Sequence, residues 1–146
     1  MSEVKVKAKP MFDLSKNNLS ATNEEGYEFE LVMPGSGEGT GAFVKVRGEQ
    51  SPTVRNYSKK KYNEYKMKQD AHKRRGKGDY EIDLDEAEEM AVDNAVNRVI
   101  SWKNIAIDGK EVPFTKEAAQ DILKNHSWIR DQVMEESSQA INFQPK

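Results

Sequence analysis

The sequence predicts an α+β fold dominated by helices. Three observations lead there. Two short runs, Tyr27 to Val32 and Ala42 to Val46, alternate apolar and polar residues at the period of two that buries one face of a strand. From Ser51 onward, apolar residues recur at helical spacings of three and four. Start and stop signals at Ser51-Pro52, Gly76 to Asp79, Asp108-Gly109 and Thr115 cut that stretch into separate elements.

In chain order, residues 1–20 show little periodicity and are expected to form a flexible arm, with Met11, Phe12 and Leu14 as one short apolar contact. Residues 21–143 are expected to form a single α+β domain, with a strand pair over 27–48 and mainly helix over 51–143; residues 144–146 are a tail. Between the two strands, Gly35, Gly37, Gly39 and Gly41 recur at every second position, which suits a flexible loop joining an antiparallel pair. Gly48 ends the second strand. Ser51 is placed to cap a helix whose first turn accepts Pro52. That helix is long and basic, reaches about Lys73, and has a thin apolar stripe of Val54, Tyr57 and Tyr65. A second helix follows, capped by Asp83 or Asp85, with Leu84, Ala87, Ala91, Val92, Ala95, Val96, Val99 and Ile100 on one face and Trp102 at its end. Ile105 to Ile107, a turn at Asp108-Gly109 and a return over Glu111 to Phe114 form a short hairpin. Thr115 caps a short helix, and Ser127 begins a last helix with Ile129, Val133, Ser137, Ala140 and Ile141 on one face, ended by Asn142-Phe143.

Composition narrows the function. Of the 146 residues, 36% are apolar and 33% charged, so one modest core lies beneath a heavily ionised surface. No apolar run approaches a membrane span, and the N-terminus lacks the apolar core of a signal peptide, so a cytoplasmic protein with no membrane partner is expected. The absence of cysteine excludes disulfides, thiolate metal sites and cysteine nucleophiles. The net charge of −2 hides two blocks. Ser51 to Lys77 carries ten Lys or Arg against Glu64 and Asp70, whereas Asp79 to Asp93 carries eight Asp or Glu and no Lys or Arg. Adjacent blocks of opposite sign either face each other, face water, or form a polarised surface that recognises a charged partner.

Searched for chemistry, the chain offers little. Gly37 to Ala42 fits the spacing of a dinucleotide-binding turn, but a strand follows it where that turn needs a helix. His72 and His126 are too isolated for a histidine zinc site, and His126 sits where it would end a helix. Asp83, Asp85, Glu86, Glu88 and Glu89 run into a helix instead of following a calcium-loop pattern. No catalytic residue, metal ligand or cofactor is therefore expected. Arg55, Lys59, Lys66, Arg74 and Arg75 form a charged recognition surface on the basic helix, and Tyr57, Tyr62 and Tyr65 could stack on bases. The acidic segment that follows would cancel much of that attraction if packed nearby, which argues against nucleic acid. Trp102, Phe114, Trp128, Ile129, Val133, Ile141 and Phe143 are core residues by default; those left uncovered would be the partner-binding set.

The order of motifs in the last third is a further clue. A helix ending in Trp102 is followed by Asp108-Gly109, Pro113-Phe114-Thr115, Ala118, the step Ser127-Trp128-Ile129, Asp131-Gln132-Val133 and a closing Asn142-Phe143. This order, together with the N-terminal strands and Val46-Arg47-Gly48 leading into Ser51-Pro52, resembles the tail assembly chaperones of long-tailed bacteriophages over about residues 27–143. The resemblance implies a non-enzymatic protein that binds the long, helical, apolar tape measure protein and brings tail tube protein to it. It also implies residence in the host cytoplasm, absence from the mature virion, and a longer frameshifted form of which this chain would be the short one. The glycine loop and the basic helix have no clear counterpart in that group. Self-association through the opposed charge blocks is a further expectation. The alternatives are a nucleic-acid-binding accessory protein using residues 55–77, and a structural tail or head–tail component.

Overall fold

The computed structural model describes residues 10–145. Its architecture is the expected α+β one. Strand β1 (Tyr27–Val32) pairs antiparallel with β2 (Gly39–Val46), which pairs antiparallel with β3 (Val99–Lys103). A separate hairpin joins β4 (Ala106–Ile107) to β5 (Lys110–Glu111). The described residues form five α-helices: α1 (Leu19–Glu25), α2 (Pro52–Arg74), α3 (Leu84–Arg98), α4 (Lys116–Asn125) and α5 (Ser127–Ser137).

The alternation along the strands decides which face is covered. Phe29, Leu31, Ala42, Val44 and Val46 are buried, while Glu28, Glu30, Phe43 and Lys45 occupy the other face. The inward set packs against Val92, Ala95 and Val96 of α3, Ala119, Ile122 and Leu123 of α4, and Ile129 and Val133 of α5. Each fully buried Val or Leu in this cluster contributes about 1.5–3 kcal/mol relative to exposure. On the open face, Lys103 bridges Glu28 at 3.3 Å and lies over the Phe43 ring at 5.0 Å.

Capping follows the sequence closely. The Ser51 hydroxyl accepts from Val54 N at 3.3 Å, the Asp83 carboxylate from Glu86 N at 2.8 Å, and the Thr115 hydroxyl from Ala118 N at 3.0 Å. Asp83, not Asp85, therefore starts α3. His126 lies at the joint of α4 and α5, its N–H donating to Ile122 O.

Four boundaries differ from expectation. The flexible arm contains order: a 3-10 turn over Leu14–Lys16 and helix α1 from Leu19, capped by Asn18. Residues 1–9 of that arm, and Lys146 of the tail, lie outside the described residues. Helix α3 stops at Arg98, and Val99, Ile100 and Trp102 belong to β3, because pairing with β2 claims the backbone there. Helix α5 stops at Ser137; a 3-10 turn over Ala140–Phe143 follows, so Ile141 leaves the helical face and is exposed. The return strand of the hairpin is also shorter than Glu111 to Phe114.

Gly48 marks a close approach. A Cβ there would overlap Asn23 Oδ1 and stand 2.8 Å from a Phe143 ring carbon. Asn23 cannot withdraw, since it is buried, accepts from Gln50 N at 3.1 Å and donates to Leu19 O at 2.6 Å. The bare glycine lets α1, the β2–α2 connection and the C-terminal turn meet.

Candidate functional site

Helix α3 is packed by α2 on one side and α4 on the other, and a cleft opens above it. One half is a hollow of about 630 Å³ between α3 and α4; the other is a hollow of about 430 Å³ between α2, the end of α3 and the start of α4. They meet at Asp93 and Gln120, which line both and stand 3.5 Å apart, amide nitrogen to carboxylate oxygen.

The cleft is split by charge. Asp85, Glu88, Glu89, Asp93 and Asp121 line the first half, with Lys124 the one cation. Arg47, Lys60, Lys61 and Lys116 line the second, around Tyr57, Val96, Val99 and Phe114. Burial, helped by the negative charges of Asp93 and Glu64, pushes the Tyr57 phenol up to about 12. Tyr57 is therefore a neutral hydrogen-bonding group on the wall. Among the described residues no group of three or more His, Asp or Glu side chains is placed to hold a metal. The cleft offers two half-buried aromatic side chains, Tyr57 and Phe114, in its basic half and an acidic half beside it, which suits one face of an amphipathic helix better than a small substrate.

Helix α2 is fastened to α3 mainly at its inner face. Lys68 Nζ lies 3.2 Å from Glu86, and the Tyr80 hydroxyl donates to the same carboxylate at 2.5 Å. The hydrogen bond from Tyr80, then that from Lys68, holds Glu86 below the ordinary glutamate range. The basic and acidic blocks thus do meet, but through few groups.

The residues singled out in the sequence separate into groups. Trp102 and Phe114 come together edge to face with ring centroids 5.0 Å apart, half-buried, and Trp102 Nε1 donates to Val112 O at 2.8 Å. Phe114 reaches the cleft. Trp128 is half-buried against the core. Ile129, Val133 and Phe143 are 7%, 0% and 2% exposed; they fill the core because α5 and the last turn close over the sheet, so they form no free surface. Ile141 stands alone at 75% exposure. Arg55, Lys59, Lys66, Arg74 and Arg75 are all exposed on α2 and its C-cap.

An ionic knot around the buried Arg98 had no signal in the sequence. Arg98, 5% exposed, donates through Nη1 to Glu49 at 2.5 Å and to Ser137 Oγ at 3.0 Å, and the Ser137 hydroxyl donates to Arg47 O at 2.5 Å. Arg47 donates to the carbonyls of Asn97 and Val99. Glu24 accepts from Ser51 Oγ at 2.8 Å and from Thr53 Oγ1. Burial works to raise the Glu24 carboxyl, but these hydroxyl donors and Arg47 leave it lowered. These groups join segments far apart in the chain, and only the fold reveals them.

Residues 51–146 match the family model described as YdaY prophage protein, a span running from the Ser51 cap through the cleft to the last turn. No curated protein and no solved structure matches the chain. Because the match covers more than half of the sequence, the chain belongs to the YdaY prophage protein family and is of phage origin.

Proposed function

We propose that this prophage protein is a tail assembly chaperone that acts without catalysis, holding a helix of the tape measure protein in the cleft above α3. The cleft itself carries the reading. Half-buried Tyr57 and Phe114, above a floor closed by the core residues Val96 and Val99, would receive apolar side chains of a client helix, and its rims of opposite sign would fix the direction in which that helix lies. The phage origin of the chain and the order of motifs from Trp102 to Phe143 support the same reading. In this proposal the protein works in the host cytoplasm, recruits tail tube protein and further copies of itself to the client, and leaves before the virion is complete.

Gln120 provides the test. It is exposed and sits where the two hollows meet, so Gln120→Trp fills the cleft without touching the core. Co-expression with the tape measure protein of the same prophage should keep that protein soluble, and Gln120→Trp should abolish the effect while moving the Tm by no more than about 2 °C. A tape measure protein that stays insoluble beside the unmodified chain would overturn the chaperone reading. Full activity of Gln120→Trp would remove the cleft from it.

A further inference from the structure

The outward face of α2 lies away from the cleft and plays no part in the reading above. At 100° per residue, Val54, Tyr57, Lys61, Tyr65 and His72 turn toward the body, and they are among the half-buried or buried positions of the helix. Arg55, Lys59, Lys66 and Lys73 fall on the opposite side, within about 40° of one line. All four are exposed, and they span about 27 Å of helix axis at 1.5 Å per residue. Arg74 at the helix end, Arg75 at its C-cap and Lys77 beyond it are also exposed, where the dipole favours cations.

We propose that this ridge binds double-stranded DNA through its phosphates, without regard to base sequence. A duplex presents one negative charge per about 1.7 Å on rigid rails, which a straight row of cations on a rigid helix matches. The ridge is held rigid from behind. Tyr80 packs edge-on against Tyr65 at 6.2 Å and His72 at 5.8 Å, and its backbone N–H donates to Gln69 Oε1 while its carbonyl accepts from Gln69 Nε2. Single strands are held chiefly by stacking on several aromatic faces, and here only Tyr62 points outward.

The acidic block does not cancel the ridge, for a geometric reason. Glu64 turns inward and pairs with Lys61 at 3.3 Å, and Glu86 meets Lys68 on the side of α2 that faces α3. Asp70 is the one carboxylate on the outer side of α2. A helix with its side chains is about 10–12 Å across, more than the Debye length of about 8 Å at physiological salt. The α3 carboxylates are therefore largely screened from a ligand lying on the ridge. They would turn their own side of the molecule away from the duplex, so that a chain of net charge −2 approaches ridge first.

The test uses the full chain, a labelled duplex of about 30 base pairs of arbitrary sequence, and a single strand of equal length, followed by fluorescence anisotropy between about 50 and 200 mM salt. The duplex should bind at the lower salt, with log K falling against log salt at a slope of about −3.6 for four phosphate contacts. Lys59→Glu with Lys66→Glu should weaken binding more than about tenfold and flatten the slope by about 2. Lys16→Glu with Lys110→Glu, equal in charge change and exposed elsewhere, should leave affinity within about twofold. No duplex binding at the lower salt overturns the proposal. So does equal loss in both double variants, or tighter binding of the single strand than of the duplex. None of these outcomes depends on the chaperone test.

Discussion

Glu49 and Arg98 tie the β2–α2 connection to the end of α3, and through Ser137 to α5. The arginine is buried, whereas the Glu49 side chain keeps about half its exposure, with a relative area of 49%. The hydrogen bond from Arg98 lowers the Glu49 carboxyl below its ordinary 4.5; burial opposes this, and the Arg98 charge and the Ser138 hydroxyl add to it. A carboxyl lowered in the folded state stabilises fully above its unfolded value, and that stabilisation is lost as the pH falls through its folded value. Glu49→Gln should therefore cost about 1 kcal/mol at neutral pH, a charge-assisted hydrogen bond discounted for water access. Urea unfolding of both proteins at about pH 7 and about pH 3 checks the sign: the gap should narrow in acid, where the parent's carboxyl is protonated too. A gap of equal size at both pH values would mean that the Glu49 charge contributes nothing.

At the scale of elements, α2 is long but hardly embedded in the core. Val54 is its one buried residue, and its second half is held through Tyr65, Gln69 and His72 against Tyr80. Tyr80→Ala should loosen that half alone: amide exchange over residues 65–74 should rise by about tenfold, while α4 and α5 keep their protection. A uniform rise across all helices would show instead that α2 unfolds only with the whole domain. The same contrast between local and distant forces explains how much could be read from the sequence. The caps of α2 and α4 were legible at Ser51 and Thr115, and that of α3 to within Asp83 or Asp85, because capping is decided within three residues. Helix α1 was not, because Leu19–Glu25 is a single polar stretch of 7 residues held by distant partners such as the Gln50 amide on Asn23 and the Ser51 hydroxyl on Glu24. Val99 and Ile100 continue the apolar spacing of α3, and only their place beside Lys45 and Val46 makes them strand. The aromatic pair and the basic stripe of the candidate surfaces were visible as residues, but the cleft was not, since its walls come from three helices whose packing no local period encodes.

For the molecule as a whole, the described chain closes on itself, and Phe143 is the clasp. Its carbonyl accepts from the Thr22 hydroxyl at 2.6 Å, its ring meets Tyr27 edge-on at 6.2 Å, and its side chain is 2% exposed beside Gly48. Helix α1, the start of the sheet and the last turn therefore share one anchor. Two roles for this phenylalanine make opposite demands. As a docking residue, its loss would weaken a partner and spare the fold. As a core residue, its loss would leave a cavity and cost about 3–5 kcal/mol, a large part of the about 5–15 kcal/mol that holds a domain together. The burial favours the second role, so Phe143→Ala should lower the urea midpoint sharply at unchanged m-value. Ile141→Ser serves as the control two residues away: at 75% exposure it should move stability by no more than about 0.5 kcal/mol. If Phe143→Ala kept the parent's midpoint while losing its hold on the tape measure protein, the C-terminal turn would be a binding edge and the clasp would have to be sought elsewhere.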